Sequence, residues 1–139
     1  MFKASHYFAL AGRTLIALPF LVSGIAKIAA PAATLAYIAS VGLPLPLAGY
    51  AIAVAVEVGG GLLLLLGVNT RALAVVMAVF TLATAAAFHT NFADQNQMIH
   101  FLKNLMIAGG LLQVAAFGSG RFSVDARHHR ETRFAVATA

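Results

Sequence analysis

The sequence predicts an all-α membrane protein, a four-transmembrane-helix bundle with both termini cytoplasmic. Three observations lead there. Hydrophobic residues make up 61% of the 139 positions and charged residues 9%, so no polar shell can cover the fold and its apolar surface has to meet lipid. Four stretches, roughly 7–28, 46–66, 71–89 and 98–117, are each apolar over about 20 residues, the length that crosses a hydrocarbon core. In a four-pass topology Lys3, Arg71, Arg121, Arg127, Arg130 and Arg133 share one side, whereas the opposite loops, 29–46 and 90–97, hold only Lys27 at an edge. The basic side is the cytoplasmic one.

The first span needs separating from a secretory signal, because Lys3 and Arg13 ahead of "TLIALPFLVSGIA" resemble charged and apolar signal regions, and "APA" around Pro31 resembles a cleavage site. The apolar run begins before Arg13, at "YFALAG", and reaches Ile28, long enough to span. In "AAPAATLAYIASVGLPLPLAG", Pro31, Pro44 and Pro46 break helix, and a short helical segment around Thr34–Ser40 is expected at the membrane interface. "GVNTR" forms a tight polar turn between the second and third spans, and "HTNFADQNQ" links the third and fourth. After Gly118 the chain turns polar. Residues 1–120 read as the transmembrane domain and 121–139 as an exposed basic cytoplasmic tail.

The formal charge of +5 suits anionic lipid headgroups, since no soluble basic face exists to hold nucleic acid. The absence of cysteine excludes disulfides, thiol catalysis and thiolate metal sites within the chain. His89 and His100 flank the third loop, but one histidine pair with Asp94 as the sole nearby carboxylate does not amount to a metal set. No metal site is assigned.

Ionisable residues inside a bilayer turn inward toward partners. On the first span Arg13, Phe20 and Lys27 recur every seven residues beside Ser23 and Gly24, so they share a face. On the second, Tyr50, Ala53, Glu57, Gly60, Gly61 and Leu64 form a face whose glycines allow close approach. On the fourth, Gln97, His100, Lys103 and Asn104 fall within an arc of about 120°. Glu57 lies near the midplane, with Arg13 and Lys103 each roughly 9 Å inside opposite ends of their helices. Arg13 is the expected ion-pair partner of Glu57, because a guanidinium pairs bidentately and stays charged, and Lys103 is the alternative. Lys27 and Arg71, at span ends, read as interfacial anchors.

The order of "AGRTLIALPFLVSGIAKI", "VEVGGGLLLLLGVNTRALA" and "FHTNFADQNQMIHFLKNLMIAGGLLQVAAFGSGRFSVDA" resembles the DoxX family of bacterial four-helix membrane proteins over roughly residues 10–126. Its most distinctive pieces are Ser23-Gly24-Ile25-Ala26-Lys27, Glu57 with its glycines, and "GSGRFSVD", where Ser119 stands at a usual proline. The resemblance implies an inner-membrane location and a link to membrane redox chemistry, relatives forming part of a thiosulfate:quinone oxidoreductase or associating with oxidative-stress enzymes. The chain itself carries no cofactor motif, so a redox role requires a bound quinone or a partner protein.

Arg13, Tyr50, His100, Lys103 and Asn104 are then the candidate donors to a quinone-like or other lipophilic ligand, and Glu57 the candidate proton relay. Such a chain is at most the membrane subunit of a quinone-linked oxidoreductase. The alternatives are a non-enzymatic scaffold for a redox or stress-response partner, docking through its tail, and a small-solute transporter or channel, which four short helices would form as a homo-oligomer.

Overall fold

In a computed structural model, residues 4–128 are described, and the remainder of the expected tail, 129–139, lies outside the described residues. The helices are α1 (Ala4–Ala29), α2 (Pro31–Ser40), α3 (Pro46–Leu66), α4 (Thr70–Phe88) and α5 (Gln95–Phe117). All but α2 are long and apolar enough to cross a membrane, and no strand occurs among the described residues.

Local sequence sets the ends. Pro31 and Pro46 open α2 and α3, where a missing N–H costs nothing and the fixed φ already suits a helix. Gly67 closes α3 in the left-handed region at φ 72°, its N–H and that of Val68 covering the carbonyls of Leu63 and Leu64. Asp94 caps α5 by accepting from the backbone N–H of Asn96 at 2.8 Å, which adds a turn to the expected start of that helix.

The spans run antiparallel to their neighbours in sequence, with α4 and α5 the most extensive pair and α1 laid along α3. Gly24 makes the α1–α3 approach close enough that a Cβ there would stand 2.5 Å from Val58 Cγ2 and 3.0 Å from Glu57 Cβ. Ala17, Phe20, Leu64, Met77, Ala78 and Leu111 meet in the shared core. Leu15, Val22, Ile52, Val79 and Met106 stay exposed on the outside, where lipid covers them at no hydrophobic cost.

The chain after Gly118 does not leave the bundle at once. Ser119 and Ser123 are buried, and a helical turn follows at 124–128. The expectation of an exposed tail is corrected at Ser119 and Ser123, which pack against the end of the bundle where α1 begins and α5 ends, called the tail end below, while Arg121, Phe122, Arg127 and His128 are exposed as expected.

Candidate functional site

Glu57 sits in a π-helical turn, Ala55–Gly60, within α3. Such a turn widens the helix by one residue, and the glycines of "VEVGGG" tolerate that bulge where side chains would crowd. The turn leaves Ala53, Glu57, Gly60, Gly61 and Leu64 all buried on the inward face. Glu57 is 7% exposed.

The expected Arg13–Glu57 ion pair is corrected by the structure. Lys27 is the partner, its Nζ donating to Glu57 Oε2 at 2.8 Å, to Oε1 at 3.0 Å and to Ser23 Oγ at 2.8 Å. Tyr50 donates its hydroxyl to the Lys27 carbonyl at 3.4 Å, steadying the end of α1. In the antiparallel α1–α3 pair Arg13 lies level with Leu65, about two turns or ~12 Å along α3 from Glu57, beyond its reach. Lys103, the alternative partner, is exposed on α5. It stands at the edge of the polar arc that brings Gln97, His100 and Asn104 inward, and so faces outward.

Arg13 has a different task. It is 1% exposed and donates to the carbonyls of Ser119, of Phe122 at 2.8 Å and of Leu65 at 3.2 Å, while its Nε has no partner among the described residues. Asp125 is the acidic group whose field acts on it. That carboxylate also accepts from the backbone N–H groups of Asn69 at 2.7 Å and Thr70 at 2.9 Å and from the Thr70 hydroxyl at 2.7 Å, capping α4 from a distant part of the chain. Arg13, the "GVNTR" turn and "GSGRFSVD" therefore form one joint at the tail end. Gly67 fits there because a Cβ would stand 2.5 Å from that of Ser123.

On the other side of Glu57, toward the end of the bundle bearing α2, lies a cavity of about 490 Å³. Ser23, Lys27 and Glu57 lie along its wall nearest the centre, Ile52, Ala53, Phe80, Ala83 and Ala87 give it apolar sides, and Thr34, Tyr37 and Ile38 of α2 border it. Tyr37 stacks on Phe88 with centroids 5.3 Å apart, and His89 on His100 at 5.1 Å. His89 Nδ1 lies 2.9 Å from Gln97 Oε1. A smaller cavity of about 210 Å³, also bordered by Ser23, Glu57 and Asn104, continues past Phe20.

Of the residues anticipated from sequence, Glu57, His100 and Asn104 line the main cavity. Tyr50 supports it indirectly, and Arg13 and Lys103 are absent from its lining. Lys27 is the residue that sequence reasoning missed, and the signal was available: it shares the heptad face of Arg13 and Phe20, with Ser23 one turn away to receive its Nζ. Its place near a helix end made it read as an anchor.

The DoxX family profile matches residues 8–90. The chain is 41% identical to Inner membrane protein YqjF of Escherichia coli (strain K12) over 119 residues, 84% of this chain and 88% of that protein. It is 39% identical to Inner membrane protein YphA of the same organism over 123 residues, 85% of this chain and 88% of that protein. No solved structure matches it. With four spanning helices on the page and these likenesses beside them, the chain belongs to the DoxX family and is a multi-pass protein of the bacterial inner membrane.

Proposed function

We propose that this protein binds a quinone-like or other lipophilic ligand in the cavity beside Glu57 and acts as the membrane subunit of a redox-associated assembly, with both termini in the cytoplasm. The observation that carries the reading is a largely apolar cavity of about 490 Å³ that ends on the buried Glu57 and its half-buried partner Lys27. Ligand sites are typically about 300–1,000 Å³, mostly apolar, with a few polar groups that fix orientation. Ionisable side chains inside a membrane mark such sites more often than they mark plain structure.

A flat headgroup fits between the Glu57 end and the Tyr37–Phe88 and His89–His100 ring pairs, with its alkyl chain leaving toward lipid. Glu57 is placed to exchange a proton with the headgroup when the ligand changes redox state, Lys27 compensating its charge. With no cysteine in the chain, electrons reside on the ligand and on a partner subunit.

The test is extraction of protein purified in mild detergent, with mass spectrometry of the organic phase, for wild type and Ala87→Phe, which fills the cavity from its apolar side. A near-stoichiometric lipophile in wild type that falls several-fold in the filled variant is expected. Bulk phospholipid alone in both proteins overturns the reading.

A further inference from the structure

The hydrogen-bonding groups around Glu57 centre on a carboxylate that accepts and does not donate, and the spare donors near it are neutral. Lys27 Nζ has three hydrogens, and Ser23 Oγ and the two Glu57 oxygens stand at 2.8, 3.0 and 2.8 Å to take them. An ammonium has no fourth donor. Thr84 gives its hydroxyl hydrogen to the Thr81 carbonyl at 2.8 Å, and Asn104 gives one amide hydrogen to the His100 carbonyl at 3.0 Å; the other Asn104 amide hydrogen and the Ser23 hydroxyl hydrogen have no acceptor among the described residues. Among the described residues Lys27 is the one donor given to Glu57, whose ionised carboxylate offers about four acceptor positions. Among the described residues no donor reaches Asn104 Oδ1 or Thr84 Oγ1.

The pair carries no net charge, so the site offers an anionic headgroup no unpaired cation and meets it with carboxylate oxygens. A carbonyl oxygen can take the neutral hydrogens that Ser23 Oγ and Asn104 Nδ2 leave over, yet it brings no hydrogen for the carboxylate beside it. A hydroxyl finds a charged acceptor, the stronger class of hydrogen bond. Tyr37 and His100, which can donate, belong to the ring pairs nearer the α2 side.

Resting on the ligand reading above, we propose that the site takes a neutral lipophile bearing a phenolic or hydroquinone O–H, donated to Glu57, in preference to the carbonyl form of the same skeleton. A site built to accept from a hydroxyl discriminates against an analogue lacking it, because the buried acceptor is then left unmatched.

The experiment uses the full chain in detergent under anaerobic conditions, titrated by native mass spectrometry with three probes of one shape: a decyl-substituted benzoquinone, its hydroquinone and the hydroquinone dimethyl ether. The hydroquinone is expected to bind about tenfold more tightly, or better, than either of the others. In a Lys27→Met/Glu57→Gln variant, which removes both charges together, the three affinities converge to within about twofold. If that variant does not fold, the wild-type ranking decides alone. Quinone or ether binding as tightly as hydroquinone overturns the selectivity and leaves lipophile binding standing. Binding of none of the three overturns the selectivity and the quinone-like ligand together.

Discussion

Replacing Lys27 by methionine retains most of the aliphatic stem and deletes the one cation paired with Glu57. The pair distance of 2.8 Å corresponds to about 6 kcal/mol of attraction at an effective dielectric of about 20. Desolvation of both ions offsets part of this, and breaking such a pair from one side typically costs about 3–5 kcal/mol, because the remaining charge is stranded. The side chains are 26% and 9% exposed, so the carboxylate, the more enclosed of the two, bears most of that cost when it is the group left stranded. For a chain of this size the loss corresponds to a fall in apparent Tm on the order of 10 °C. Glu57→Gln strands the lysine instead and is expected to cost a similar amount, whereas the double variant recovers to within about 2 kcal/mol of wild type. Thermal melting of the four proteins in one detergent completes the cycle. A single Lys27→Met variant that melts with wild type, or a double variant no better than the sum of its parts, refutes the pairing.

The joint at the tail end yields three further expectations. Arg13→Lys keeps the charge but replaces a rigid fork by a point donor that cannot reach three carbonyls on two segments, costing about 2–3 kcal/mol, and it speeds protease cleavage after Gly118; unchanged cleavage contradicts the role given to Arg13. Asp125→Ala removes the cap on α4 and costs about 1–2 kcal/mol. Hydrogen exchange at the amides of Asn69 and Thr70 rises in that variant, and equal protection speaks against the cap. A reporter fused after residue 139 is expected to be active only in its cytoplasmic form, and periplasmic activity reverses the orientation inferred from the Lys/Arg count.

The spans were legible in sequence because lipid imposes one rule on every residue: a backbone crossing the bilayer must satisfy its own hydrogen bonds, so helix length and apolarity suffice. The inward faces were legible for the same reason, Arg13 and Glu57 being out of place anywhere else. Partner choice was harder, because it depends on the relative depth of two helices. That depth is fixed by the close contact of Gly24 with Val58 and by the bulge at Ala55–Gly60, neither of which has a periodic signature. The tail misled for a different reason. "GSGRFSVD" is polar, as a solvated segment would be, yet its polar groups meet Arg13 and the start of α4, and composition does not distinguish the two fates.

The bundle holds its inward charges in two ways, and the difference bears on function. Arg13 is held by backbone carbonyls from α3 and the segment after α5, groups that cannot be titrated or carried away, so its end of the bundle is fixed once folded. Lys27 and Glu57 are held by each other beside a cavity, and a proton delivered to Glu57 dissolves their attraction. A joint of carbonyls suits permanence, whereas an ion pair bordering a cavity is stable only while its protonation holds. Defects at Arg13 are therefore expected to appear as lost protein, and defects at Glu57, in a background where Lys27 is also neutralised, as intact protein with altered ligand selection.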